Sequence, residues 1–322
     1  MNILVDAMGG DNAPYDIVEG CINAVAEEQG FNIVLIGDSS KIEKVLIENK
    51  FHGNRITIIH ADEAITNDNL PTKAIKTKKN SSMVLGLNLI KENKADVFIS
   101  AGNTGALLTG SILILGRLEG IDRPALAPVI PTAKGGALLI DAGFNTVCKP
   151  LNYLQFGIIG TIYMREIFGI KNPAVGLINV GSEEQKGNET IKQAYNLLAN
   201  ANINFVGNIE GREIPEGKID VAVCDGFVGN VILKFMEGVG SFIFEGLKDV
   251  YSKNIISKLA SLLVKGELKN FKKRMDYEEY GGVPVLGING TVFKCHGNSN
   301  AKAIKNAVIK AYCELSRILC KN

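Results

Sequence analysis

The strongest constraint on the fold is an alternation of two hydrophobic periods. Short apolar runs occur at 2–7 (NILVDA), 32–37 (NIVLIG), 56–61 (ITIIHA), 96–101 (DVFISA), 136–141 (GALLID), 174–179 (AVGLIN), 203–208 (INFVGN) and 220–225 (DVAVCD). Most are separated by stretches of helical period, at 15–28, 40–49, 80–93, 104–118, 150–168 and 187–200. Strands alternating with helices predict a mostly parallel sheet with helices on both faces. The nearly continuous Val, Ile and Leu of the runs fit strands covered on both sides. No fixed-period repeat and no low-complexity linker interrupts the pattern.

Many of these runs end in the same punctuation. The tips are AMGGDNAP (7–14), SAGNTGA (100–106), DAGFN (141–145), NVGSEEQKGNE (179–189) and DGFVGN (225–230), with a later loop, HGNSNAKA (296–303), of the same character. In an open α/β sheet, ligands bind outside the carboxyl ends of the strands, where such tips gather. Glycine permits close approach of backbone, and helix N-termini present free N–H groups. Six such tips meeting at one edge predict an anion site built from backbone and amide donors. Any single tip is equally readable as a plain turn that needs positive φ. Asp6, Asp141 and Asp225 at strand ends favour the site reading.

Composition narrows the chemistry. A net charge of +1 argues against a nucleic-acid partner, and three histidines with no tryptophan leave little material for a metal site or an aromatic cage. Six cysteines, at 21, 148, 224, 295, 313 and 320, form no CxxC pair and read as reduced thiols of a cytosolic protein. The N-terminus reads as a first strand rather than a signal peptide, and no apolar run appears long enough to span a bilayer. Walker A, GxGxxG, GxSxG and HExxH patterns are absent, which disfavours nucleotide hydrolysis, dinucleotide binding, serine hydrolase chemistry and zinc; no cofactor or metal is expected. His52 and His60 read as residues of a surface hairpin without a chemical role. His296 either contacts a ligand or orders its own loop. Lys186, in EEQKGNE, is either a cation for a bound anion or a solvated surface lysine. Asn230 is either an oxyanion donor or a helix cap.

Residues 251–275 differ from the rest. Ile255, Ile256, Leu259, Leu262 and Leu263 form an apolar stripe at helical spacing, and Lys253, Lys258, Lys265, Lys269, Lys272, Lys273 and Arg274 make the segment basic. Such a protruding helix suits an anionic membrane surface, an acidic protein partner, or a dimer interface.

Taken together, DAMGGDNAP, SAGNTGALL, GIDRPALAPVIP (120–131), INVGSEEQKGNE, VAVCDGFVGNVILK and YGGVPVLGINGTVFKCHGNSNAKAIKNA resemble the PlsX family of bacterial phosphate acyltransferases, from Met1 to about residue 313. The resemblance implies a single-domain, three-layer α/β/α fold related to phosphotransacetylase and isocitrate/isopropylmalate dehydrogenases. It implies a homodimer that transfers a fatty acyl group from acyl carrier protein to inorganic phosphate. The acyl phosphate would feed glycerol-3-phosphate acylation in phospholipid synthesis, by a downstream membrane acyltransferase. It further implies a cytoplasmic enzyme touching the membrane peripherally through 251–275. On this reading Lys186 draws in phosphate charge and Asn230 donates to the carbonyl oxygen. Asp6, Gly9, Gly10, Asn103, Thr104, Asp225, His296 and Asn298 bind substrate, with Asp225 orienting its neighbours. The alternatives are a phosphotransacetylase acting on acyl-CoA and a non-catalytic scaffold. Two positions depart from the family pattern: Phe144 stands where a small residue is usual and should crowd a site-facing turn. Lys76 stands for an arginine and keeps charge without bidentate geometry.

Overall fold

The computed structural model describes residues 1–275 and 281–319. Among these residues the strands form two sheets. The first begins with β1 (Asn2–Asp6), β2 (Asn32–Gly37), β3 (Ile56–His60) and β4 (Val97–Ser100). After β4 the chain makes a short strand, β5 (Ala125–Leu126), and crosses to the second sheet. That sheet contains β6 (Val129–Thr132), β7 (Gly135–Ile140), β8 (Ala174–Ile178), β9 (Asn204–Ile209) and β10 (Val221–Val223). The chain then returns to the first sheet through β11 (Val283–Leu286) and β12 (Val292–Lys294). The strand orders are β3-β2-β1-β4-β12-β11-β5 and β6-β7-β10-β8-β9. Pairing is parallel except at β12–β11, β11–β5 and β6–β7.

Period-two side chains divide each sheet between two cores. Ile3 and Val5 of β1 face α1 (Tyr15–Glu27), α2 (Ser39–Glu48) and the C-terminal helix, while Leu4 faces α3 (Pro71–Thr77), α4 (Ser82–Lys91) and α5 (Thr104–Gly110). In the second sheet Leu138 and Ile140 pack under α6 (Pro150–Phe168) and α7 (Glu189–Ala199). Ala137 and Leu139 pack on the opposite face, against α8 (Gly226–Ser252). Each sheet is thus sandwiched between helices, a three-layer α/β/α arrangement. A fully buried Ile or Leu in these layers is worth about 1.5–3 kcal/mol.

The structure adds elements that periodicity did not reveal. β5, β6, β11 and β12 are two to four residues long, too short for a legible pattern. The stretch 104–118 is α5 running into a wider π turn at Ser111–Leu115. His60 ends the parallel strand β3, and His52 follows α2, so the two do not share a hairpin. His60 instead takes a hydrogen bond at Nδ1 from Ser39 N, 3.2 Å away.

The helix α8 corrects the expectation about apolar length. It is long and apolar enough to cross a membrane by length and composition, because isolated charges and glycines dilute its apolar content without breaking the run. Its first turns pack through Val228, Ile232, Leu233 and Met236 on the second sheet. Beyond them it projects and pairs with α9 (Ile255–Met275), where Phe244 and Phe271 meet at 5.5 Å between ring centroids. Apolar side chains on both helices face outward, Phe242 at 75% and Leu263 at 89% exposure. The unpartnered surface therefore starts well before residue 251. The side chains of Lys272, Lys273 and Arg274 lie outside the description.

Candidate active site

The tips do gather, at the junction of two sheet edges rather than at one. On the first sheet, β1 ends in Asp6, which is 2% exposed. Its carboxylate accepts hydrogen bonds from Ser82 Oγ (2.5 Å), Ser100 Oγ (2.7 Å) and Met8 N (3.2 Å). Burial raises its pKa, opposed by these hydrogen bonds and by the charge of Lys294. Above Asp6 the tips press together. A Cβ on Gly9 would meet Asp6 Oδ2 at 2.5 Å and Gly102 N at 2.7 Å. Asp11 N donates to Gly297 O at 2.7 Å. Asp6 is therefore a buried strut beneath the tips, not a residue of the cavity wall.

Asp141 does the same work on the second sheet. Its carboxylate accepts from Leu126 N (2.9 Å), Gly143 N (3.2 Å), Phe144 N (3.1 Å), Asn145 N (2.6 Å) and Asn145 Nδ2 (2.9 Å). One buried carboxylate thus orders the 141–145 turn and ties it to the crossover at β5. Burial raises its pKa against that set of hydrogen bonds. The start of α8 lies directly on this turn. A Cβ on Gly229 would collide with the Asp141 carbonyl oxygen, so only glycine fits there. Asp225 caps α8, accepting from Val228 N at 2.9 Å and from Tyr153 OH at 3.1 Å.

Between these two scaffolds lies a cavity of about 230 Å³. Its wall takes Thr104 from the β4 tip, Gly143 from the β7 tip, Asn230 and Lys234 from α8, and Lys294 and His296 from the β12 end. Asn230 is in the second turn of α8, and Asp225 is the cap, so the cap reading of Asn230 is wrong. Its carboxamide is exposed and has no hydrogen-bond partner among the described residues. Its neighbour across the gap is Gly143, whose φ of +143° favours glycine.

Lys294 is the residue that sequence reasoning missed. It ends β12, is 7% exposed, and its ammonium donates to Ala101 O (3.3 Å) and to Cys295 O. No carboxylate lies within ion-pair distance of it among the described residues. Burial lowers its pKa to about 8, opposed by electrostatic interaction with Cys295, Asp6 and Asp11. At neutral pH it is therefore a buried cation facing the cavity. The available signal was a charge inside an apolar run, VFKC. A second polar group sits on the same wall. Lys234 Nζ lies 2.8 Å from Glu237 Oε2 and 2.9 Å from His296 Nε2, which is itself 3.3 Å from Glu237 Oε1. Burial raises the pKa of Glu237, but the hydrogen bonds from His296 and Lys234 outweigh it and hold the carboxyl low. His296 thus both borders the cavity and orders its surroundings.

Other expected site residues fall elsewhere. Asn103 caps α5, accepting from Ala106 N (2.9 Å), and its amide donates to Thr66 O and Asn67 O. Gly9, Gly10, Asp225 and Asn298 are not among the residues lining the cavity, and Asn298 is exposed. Gly10, at φ +104°, holds its tip against Gly297 O. Lys186 is outside the wall. Its side chain is 51% exposed, 4.0 Å from Glu183, and its loop folds back on β9 through Asn208 Nδ2 to Glu183 O (2.9 Å). Of the six tips, four contribute to the cavity lining, and the 7–14 and 179–189 tips do not. Phe144 packs against the first sheet's core and does not line the cavity, and Lys76 is exposed on α3. No group of three or more His, Cys, Asp or Glu able to hold a metal occurs among the described residues.

Comparison with known proteins agrees with this architecture. The model of a family described as "Fatty acid synthesis protein" matches residues 1–321. A phosphate acyltransferase of Acetivibrio thermocellus is 58% identical over 97% of this chain and 92% of its own. A phosphate acyltransferase of Alkaliphilus oremlandii is 54% identical over the same shares. Among solved structures, a phosphotransacetylase from Streptococcus pyogenes has the same fold, with a TM-score of 0.62 at 16% identity, covering 98% of this chain and 94% of its own. A fatty-acid-synthesis family match over nearly the whole chain, with relatives of more than half identical sequence, means that this chain belongs to the phosphate acyltransferase (PlsX) family of acyltransferase enzymes.

Proposed function

We propose that the cavity transfers a fatty acyl group from acyl carrier protein to inorganic phosphate. The observation that carries this reading is a buried, unpaired ammonium, Lys294, across one small cavity from an unengaged carboxamide, Asn230. The thiol in the same wall, Cys295, has its pKa pushed up by burial to about 11 and keeps its proton, so it is a poor nucleophile. Such a wall suits a reaction whose nucleophile arrives as a substrate.

In the proposed reaction, phosphate sits against Lys294 and the glycine tips, and one of its oxygens attacks the thioester carbonyl carbon. Asn230 Nδ2 donates to the developing oxyanion. The C–S bond then breaks, leaving acyl phosphate and a thiolate that takes up a proton, with Lys234 nearby to balance its charge. Holding both reactants in one cavity removes most of the entropic barrier. Lys186 is assigned a longer-range role, attracting the phosphate dianion from outside the wall. Because both sheets build the cavity, the chain acts as one catalytic unit. The exposed apolar and basic surface of α8 and α9 supports a homodimer that contacts the cytoplasmic face of the membrane peripherally, where a downstream acyltransferase would receive the acyl phosphate for phospholipid synthesis.

The test mixes purified protein, phosphate and hexadecanoyl thioesters of either acyl carrier protein or coenzyme A, and traps acyl phosphate with hydroxylamine. Phosphate-dependent hydroxamate from the carrier-protein donor is expected. Preference for the coenzyme A donor would refute the donor assignment, and thiol release without phosphate would refute the reaction.

A further inference from the structure

Beside the catalytic cavity lies a second one, of about 520 Å³, between the β6–β7 turn and the α8–α9 pair. Its lining is apolar: Ala133 and Pro215 on one side, Phe235 and Val239 of α8 and Phe271 of α9 on the other. Pro131 and Met236 belong to the walls of both cavities. The two spaces are therefore adjacent, one ending in Lys294 and Asn230 and the other carrying no charged side chain in its lining.

We propose that the second cavity is the subsite for the distal part of a long, straight acyl chain, entered over Pro131 and Met236. This rests on the acyl-transfer reading and adds to it the place and the residues that select chain length. Asn230, Leu233, Met236 and Val239 follow one another at three-residue steps along α8, and all four line one or other cavity. A helix rises about 1.5 Å per residue, so Asn230 and Val239 are about 13 Å apart along the axis. A carbonyl held at Asn230 thus places only a long chain under Val239 and Phe271; a short chain ends in the first cavity among Leu126, Val129 and Leu233. The volume is within the range of ligand sites, and the lining has the apolar character that such sites show. The α8–α9 pair, which otherwise exposes apolar surface, forms the roof of this groove.

Two measurements test the assignment. Val239→Trp fills the distal cavity. With hexadecanoyl and butanoyl thioesters of acyl carrier protein as donors, kcat/KM for the hexadecanoyl donor should fall roughly tenfold or more relative to the butanoyl donor. An equal fall for both donors, or none, overturns the proposal. The chain has no tryptophan, so Phe235→Trp gives a single fluorophore in the wall and reports occupancy even if Val239→Trp folds poorly. Its emission should move to the blue with hexadecanoyl-pantetheine and stay unchanged with butanoyl-pantetheine. An unchanged emission with the long ligand overturns the subsite even when turnover is normal. A blue shift in a protein that makes no acyl phosphate would keep the subsite and refute the reaction instead.

Discussion

Replacing Lys294 with methionine separates what the buried cation does for catalysis from what it does to stability. The methionine is close in length and apolar, so it fills the space without the charge. In the folded protein burial lowers the Lys294 pKa from 10.5 to about 8. Unfolding restores the ordinary value, so between these pH values the unfolded chain binds one more proton than the folded one. Stability from this group therefore rises with pH across that window and is flat below about 8. At 1.36 kcal/mol per pH unit the full rise is about 3 kcal/mol. Urea denaturation of both proteins at about pH 7.5 and about pH 10 measures it, and wild type should gain about 2 kcal/mol relative to Lys294→Met between the two. The loss of hydrogen bonds to Ala101 O and Cys295 O adds a destabilisation that does not vary with pH and drops out of the comparison. Turnover of the variant at neutral pH should fall by roughly a hundredfold or more, as when one preorganised stabiliser of developing charge is removed. Parallel stability–pH curves for the two proteins would refute the buried-cation account, and near-normal turnover would remove Lys294 from the mechanism.

Three further outcomes are expected. Asn230→Ala should lower kcat by roughly a hundredfold while moving stability by less than about 0.5 kcal/mol, because the exposed amide holds nothing in place; the rate and a melting curve check both. Gly229→Ala should destabilise the protein by about 1–3 kcal/mol in urea melts, since its Cβ strikes the Asp141 carbonyl and must push α8 off the β7 turn. Leu259→Glu with Leu263→Glu, both exposed on α9, should abolish binding to anionic vesicles and leave dimer mass unchanged; a monomer with intact vesicle binding would assign the stripe to the dimer instead.

The alternation of strand and helix periods, and the glycine–amide tips, were legible because they are local. A strand covered on both faces must read as continuous Val, Ile and Leu, and a tight approach or positive φ selects glycine at one position regardless of distant partners. That much determined an α/β/α chain with polar loops at strand ends, and the long ordered motifs resembled the family. The tertiary structure alone decided that the strands divide into two sheets, because β5 and β11 are too short to announce the crossover. Asp6 and Asp141 looked like site residues and are buried struts. Asn103 is a cap, while Asn230, four residues into α8, is a free amide. Lys186 and Lys294 are equally plain lysines in the sequence, yet one is half in solvent and the other is sealed beside Ala101. Position along a chain carries no information about which charge is shut away from water, since burial is set by every segment that packs around it.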